Sequence, residues 1–141
     1  LLMGTGPEHE ALLRQRDELG LADWVEMPGR VSDEFLFAAL KTMDLGVSSD
    51  PINGYNDHCT MNKVLEYMAF RKAQVMFDLT EGRASAGEAA VYVPENDPKQ
   101  LAAAISGLLD DPKRRERMGR LGERRLREEL NWERSVSSTS R

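Results

Sequence analysis

Apolar positions along the chain form two kinds of pattern. Short, nearly continuous apolar runs predict buried strands at residues 1–3, 24–27, 45–48, 74–77 and 91–93. Elsewhere apolar residues recur every three or four positions, which predicts helices with one buried face, for example through Met61, Val64, Leu65 and Met68. We expect such helices at about 8–19, 32–43, 61–70, 80–87, 98–109 and 112–130.

This alternation of strands and helices predicts an α/β fold, a Rossmann-like parallel sheet with helices on both faces. Ligands of such sheets bind at the carboxyl ends of the strands. The loop 49–59 and the segment 78–88 both follow predicted strands, so we expect the functional site there. Because residues 1–3 form a strand with nothing before it, we also expect the chain to be a fragment of a longer protein.

Composition narrows the possible classes of protein. The net charge of −5 and the pI of about 5.1 argue against a general affinity for nucleic acid. No apolar run approaches the roughly 18 residues that a membrane span needs. A single cysteine, Cys59, excludes an internal disulfide framework and favours a cytoplasmic protein. We expect one domain over residues 1–131, followed by a Ser/Thr-rich tail over 132–141.

The start of the 61–70 helix carries the strongest local signal. Thr60 is placed to cap it, with Met61, Asn62 and Lys63 in its first turn. Unpaired N–H groups and the helix dipole make such an end a natural phosphate site, although an ordinary capped helix has the same pattern. Glu66 lies beside the apolar face. Its carboxylate needs either a basic neighbour such as Lys63 or Arg71, or the hydroxyls of a ligand.

The segment from Asn56 to Ala69 resembles the donor-binding motif of the GT-B glycosyltransferases of family 4, the group 1 type. The resemblance continues through Val75–Ala90 and extends from Gly4 to Trp132. It implies the C-terminal half of a GT-B fold with its first strand–helix unit missing. It further implies a retaining transfer from a nucleotide-diphosphate sugar, either a UDP-sugar or a GDP-sugar, with no cofactor and no obligatory metal. The partner of this half would be its own N-terminal acceptor domain.

The resemblance also assigns roles to single residues. Glu66 matches the glutamate that binds the ribose hydroxyls. The other glutamate of the family motif falls at His58, a departure that puts the donor sugar in doubt, and the neighbouring Asp57 is the alternative source of a carboxylate. No catalytic residue is assigned; His58 and Asp57 are only the candidates for that motif position, and a catalytic base is not expected at His58.

Backbone groups carry the remaining implied contacts. Those of Thr60, Met61 and Asn62 would bind the diphosphate. The loop after Gly29, with Arg30 and Val31, would hold the nucleobase.

The segment after the 74–77 strand is rich in polar residues. Asp78, Glu81 and Arg83 are expected to line the rim of the site, with Glu81 and Arg83 either paired or facing the donor sugar. Arg71 stands where the family usually has glycine at a helix end, so we expect a strained left-handed turn or a different helix end there.

The last helix carries many arginines. We interpret it as a solvated face with i,i+4 ion pairs; membrane association is the minor alternative.

Other functions remain open from the sequence. One is a non-catalytic nucleotide-binding α/β domain that lost its chemistry at His58, and another is a sugar epimerase on the same scaffold. A receiver-like signalling domain would need an acidic cluster facing a lysine, and no convincing set is present.

Overall fold

The computed structural model describes residues 1–130, and the predicted tail 132–141 lies outside them. Six α-helices and three strands follow one another along these residues. Their bounds are α1 His9–Glu18, α2 Asp33–Thr42, β1 Gly46–Ser48, α3 Asn62–Ala69, β2 Gln74–Phe77, α4 Thr80–Ala86, β3 Ala90–Val93, α5 Pro98–Leu109 and α6 Pro112–Glu128. Two short 3-10 helices, Asn56–His58 and Gly87–Ala89, lie before α3 and after α4.

The three strands form one parallel sheet in the order β1-β2-β3. In its register Val47 lies opposite Val75, and Val75 lies opposite Val91. All four residues of β2 are buried because the strand is central and covered on both sides. The predicted strands 45–48, 74–77 and 91–93 are therefore confirmed within a residue or two.

Alternate residues of β2 pack into different clusters, which shows that both faces of the sheet are covered. Met76 packs with Val64 and Met68 of α3. Val75 and Phe77 pack with a second cluster that includes Leu108 of α5. The predicted Rossmann-like arrangement is thus present, with helices on both faces.

Two aspartates cap the last two helices, as their Asp-Pro pattern predicts. The Asp97 carboxylate accepts a hydrogen bond from the Lys99 N–H at 2.8 Å, and the Asp111 carboxylate accepts one from the Arg114 N–H at 2.9 Å. These caps fix where the two helices begin; α5 packs against β2 and β3, and α6 packs against α3 and α5.

The end of α3 is a Schellman turn with arginine in the position that usually holds glycine. The Lys72 N–H donates to the Tyr67 carbonyl at 2.8 Å and the Arg71 N–H donates to the Met68 carbonyl at 3.0 Å. Arg71 has φ of 57°, and within residues 1–130 it is the one non-glycine residue with a positive φ. The strained left-handed turn expected from the sequence is therefore present.

Replacing Arg71 with glycine is expected to stabilise the fold by about 1 kcal/mol, because glycine adopts a left-handed conformation without a Cβ clash. The Arg71–Glu123 ion pair (3.2 Å) would be lost, but it is half exposed and contributes only a few tenths of a kcal/mol. Urea unfolding measures the gain. Arg71→Ala is the matched control, since it removes the ion pair and keeps the Cβ. Equal stabilisation by alanine would contradict the strain argument.

Residues 1–130 fold as two compact units, Leu1–Ala39 and the described residues from Leu40 to Leu130. In the first unit, the predicted strands 1–3 and 24–27 are wrong, because only one parallel bridge, Met3 to Gly29, forms there. The Leu2 N–H donates to the Glu26 carbonyl at 2.8 Å. The next bond of a parallel ladder would need an N–H at position 28, and Pro28 has none.

Candidate functional site

The carboxyl ends of β1 and β2 lead into two polar segments of the second unit. Residues 49–61 follow β1, and Asp78 and Leu79 separate β2 from α4. Neighbouring parallel strands end at the same edge of a sheet, so the two segments meet there. Their side chains define the candidate site.

Asp57 connects these two segments. One of its carboxylate oxygens accepts a hydrogen bond from the Thr80 N–H at 2.7 Å, and the other accepts one from the Thr80 hydroxyl at 3.0 Å. Thr80 is the first residue of α4, so Asp57 caps that helix from a distant loop. The backbone and hydroxyl bonds from Thr80 hold the pKa of Asp57 below its usual value of 3.8.

A second contact lies beside the first. The Thr60 hydroxyl donates to a Glu81 carboxylate oxygen at 3.2 Å. We call the four residues Asp57, Thr60, Thr80 and Glu81 the loop clamp. Its contacts join the loop before α3 to the first turn of α4. Along the chain, the two loop residues of the clamp lie immediately before and after His58-Cys59.

The loop clamp corrects the prediction that Thr60 caps α3. The helix begins at Asn62, and Met61 occupies the N-cap position without a side-chain hydrogen bond. Thr60 lies one residue too early, and its hydroxyl is bonded to Glu81 instead. Among residues 1–130, no side chain therefore caps the first N–H groups of α3.

An ion pair lies next to this helix end. Both oxygens of Asp50 accept hydrogen bonds from the Lys63 ammonium, at 3.0 and 2.8 Å. Asp50 was not predicted, because no periodicity links a loop residue after β1 to the first turn of α3. The pairing ties the β1 loop to the start of α3.

Glu66 is exposed on α3, and its carboxylate has no hydrogen bond or ion pair with the residues the structure describes. The two basic neighbours considered from the sequence have other partners, since Lys63 binds Asp50 and Arg71 binds Glu123. The interpretation of Glu66 as half of a surface ion pair with either of them is therefore wrong.

Arg83 binds Asp78 and not Glu81. Its guanidinium donates to both Asp78 oxygens, at 2.8 and 2.6 Å, and stacks 4.1 Å from the centre of the Tyr92 ring. Of the two alternatives for Glu81 and Arg83, the mutual pair is therefore wrong, because Glu81 is held in the loop clamp. The Tyr92 hydroxyl donates to the Gly87 carbonyl at 2.6 Å, and burial raises the pKa of Tyr92 to about 12.

A third loop is tied to the same edge by Asn96, which was not predicted to take part. Its side-chain oxygen accepts from the Ile52 N–H at 2.6 Å, and its amide donates to the Ile52 carbonyl at 3.1 Å. These two hydrogen bonds join the loop after β1 to the loop after β3. Nothing in the local sequence distinguishes this asparagine from an ordinary turn residue.

The lowered pKa of Asp57 makes the loop clamp sensitive to acid. Because the folded pKa lies below the usual 3.8, the clamp's contribution to stability is complete above that pH and is lost as the pH falls through the lowered value. In an NMR titration, the Thr80 amide shift is expected to change with a midpoint below 3.8. A midpoint at or above 3.8 for Thr80 would contradict the hydrogen-bonded carboxylate.

Comparison with known proteins identifies the family. The family model described as "Glycosyl transferases group 1" matches residues 1–111. The chain belongs to the group 1 glycosyltransferases. No curated protein matches this group 1 glycosyltransferase with significant similarity.

One solved structure relates the fold to a whole enzyme. Sucrose-phosphate synthase from Thermosynechococcus elongatus superposes with a TM-score of 0.77 at 22% identity, over 98% of this chain. The likeness establishes the GT-B, Rossmann-like fold of the domain. The chain spans 36% of the length of the synthase chain.

The residues predicted for this group 1 glycosyltransferase site are only partly joined by contacts. In the second unit, Asp57, Thr60 and Glu81 are held together in the loop clamp. Like Glu66, His58 is exposed and has no side-chain hydrogen bond or ion pair to residues 1–130.

The residues predicted to hold the base lie in the first unit. Arg30 and Val31 follow Gly29, which has φ of 75°. Arg30 is exposed and Val31 is half buried.

Two other kinds of site are absent from residues 1–130. Within this range, no three or more His, Cys, Asp or Glu side chains are grouped so that they could hold a metal ion. Of the helices described, none combines the length and apolar character needed to cross a bilayer.

Proposed function

We propose that residues 1–131 form the donor-binding domain of a retaining glycosyltransferase that uses a nucleotide-diphosphate sugar. The observation that carries this proposal is the position of Glu66. The domain belongs to the group 1 glycosyltransferases, and Glu66 lies on α3, the helix that follows the β1 loop. Its carboxylate is exposed and has no partner among residues 1–130. Vicinal ribose hydroxyls would satisfy both its charge and its acceptor oxygens.

The diphosphate is assigned to the start of α3. Backbone N–H groups of Thr60, Met61 and Asn62 are the proposed donors, and the lack of a side-chain hydrogen bond from Met61 at the N-cap supports this. Lys63 lies in the same turn, although Asp50 already neutralises its ammonium group. Backbone atoms around Arg30 and Val31 are proposed to hold the base.

The donor sugar would lie at the rim formed by Asp78, Glu81 and Arg83. Since Asp57 is bonded to Thr80, it is a poor candidate for the sugar-binding acid. His58 then remains as the proposed donor-sugar contact at that motif position. Fixed positive charges of the protein would stabilise the leaving nucleotide, and no obligatory metal or other cofactor is proposed. The single cysteine supports a cytoplasmic location.

We further propose that activity needs a longer parent containing an acceptor domain, since this chain covers about a third of the synthase length. The 141 residues alone are expected to bind the donor without transferring its sugar. Turnover of a nucleotide sugar to a glycosylated product by the purified chain would contradict the proposal that activity needs the longer parent.

Calorimetric titration of the chain with UDP and with GDP tests the proposal and distinguishes the two bases. Binding of one nucleotide, even with a millimolar Kd, is the expected result. Adenosine diphosphate is a suitable comparison ligand with the same diphosphate. A folded chain that binds none of them, together with a longer parent that binds none either, would refute the donor-binding role.

A second function is favoured by one observation. The motif position for the sugar-binding acid offers no available carboxylate, because His58 occupies it and Asp57 is held by Thr80. A non-catalytic nucleotide-binding domain would have the same features. Donor hydrolysis or transfer by the longer parent distinguishes the two, since the non-catalytic domain would bind nucleotide and release it unchanged.

A further inference from the structure

The outer face of α6 carries a continuous row of cationic side chains. Eight of the 19 basic residues of the chain lie in this helix, together with three of its 24 acidic residues. Five of the basic residues follow one another at intervals of four and three positions, so they share one face. We call them the basic stripe: Lys113, Arg117, Arg120, Arg124 and Arg127.

The basic stripe faces away from the protein. The buried residues of α6 are Met118, Gly119 and Gly122, which lie on the opposite side of the helix. All five side chains of the stripe are exposed. At 1.5 Å per residue the stripe is about 20 Å long, and it is straight because it follows a single helix.

Acidic neighbours neutralise only part of this charge. Arg120 binds Glu116, and Arg127 binds Glu123 at 3.0 Å. Lys113, Arg117 and Arg124 have no ion pair or hydrogen bond from their side chains within the described range 1–130. The surface depression that Arg117 and Arg124 line also contains Arg71 with its partner Glu123.

We propose that the basic stripe docks the protein on an anionic phospholipid surface. A straight row of exposed cations on a convex helix can contact a flat anionic plane along its whole length. The helix has no aromatic side chain on which a base could stack, which argues against a single-stranded nucleic acid as the partner. With no large exposed apolar side chain among its members, the stripe would bind peripherally, through charge alone.

Vesicle co-sedimentation of the whole chain tests this. Vesicles of phosphatidylcholine with roughly one third phosphatidylglycerol should bind it, pure phosphatidylcholine should not, and raising the salt from about 0.1 M to about 0.5 M should release it. Arg117→Gln/Arg124→Gln is expected to weaken vesicle binding about 30-fold, which corresponds to roughly 1 kcal/mol for each removed charge.

The control is Arg14→Gln/Lys99→Gln, which removes two exposed basic residues outside the stripe and should leave vesicle binding within about twofold. Three results would overturn the proposal: no binding by the folded wild-type chain, equal losses in both double variants, or equally tight binding of a single-stranded RNA through the same stripe. Because nucleotide binding is not measured, failure here leaves the donor-binding proposal unaffected.

Discussion

Replacing Gly119 with alanine is expected to destabilise the protein by about 3 kcal/mol or more. A Cβ at this position would lie 2.0 Å from the Arg71 carbonyl oxygen and 2.7 Å from its carbonyl carbon. Both contacts are with backbone, so no side-chain rotation can relieve them. The helix α6 would have to move away from the end of α3, and the buried contacts of Met118 would be weakened with it.

Urea unfolding followed by circular dichroism measures this loss. The matched control is Gly107→Ala in α5, where an added Cβ meets nothing within 4 Å. There alanine should stabilise the helix by about 0.5–1 kcal/mol, because it restricts the unfolded chain more than glycine does. Similar stabilities for the two variants would show that α6 does not pack on Arg71 as described.

The two buried glycines of α6 explain why the helix lies so close to its neighbours. At Gly122 a Cβ would come within 2.9 Å of the Ala89 side chain and 3.1 Å of the Met68 side chain. Gly119 and Gly122 are three positions apart and therefore face the same way. The sequence shows this spacing, but a helical glycine on its own does not reveal which backbone it must approach.

The central sheet was predictable because its strands are buried on both faces. In Gln74–Phe77 the whole strand is inside, so the sequence shows a short continuous run of buried residues. The same rule failed at 1–3 and 24–27. There Pro28 interrupts the pairing, so that only the Met3–Gly29 bridge forms, and Trp24 remains 83% exposed.

The polar contacts of the site were predictable only in part. The sequence placed Asp57, Thr60, Glu81 and Arg83 at one edge of the sheet, and the structure brings the first three into the loop clamp. It did not identify their partners. Asp57 and Thr80 are 23 positions apart, and such pairs depend on how the loops fold back, which no local pattern encodes.

These partner assignments leave Glu66 as the carboxylate of α3 that is available to a ligand. The other carboxylates of the site each hold a protein group; they are Asp50, Asp57, Asp78 and Glu81. A nucleotide ribose bound at Glu66 therefore need not displace any of these protein contacts. The affinity for nucleotide should depend strongly on the Glu66 charge.

Glu66→Gln is accordingly expected to weaken nucleotide binding tenfold or more, because a hydrogen bond to a charged group contributes about 1.5–3 kcal/mol. The side chain is exposed and has no partner among residues 1–130 of the free protein, so unfolding by urea should be nearly unchanged. Glu88→Gln is the matched control, since Glu88 is also exposed, lies on the Gly87–Ala89 helix and is not assigned to the nucleotide. Calorimetry with the nucleotide that the wild type prefers gives both affinities. Unchanged affinity in Glu66→Gln, or an equal loss in Glu88→Gln, would remove the ribose role from Glu66.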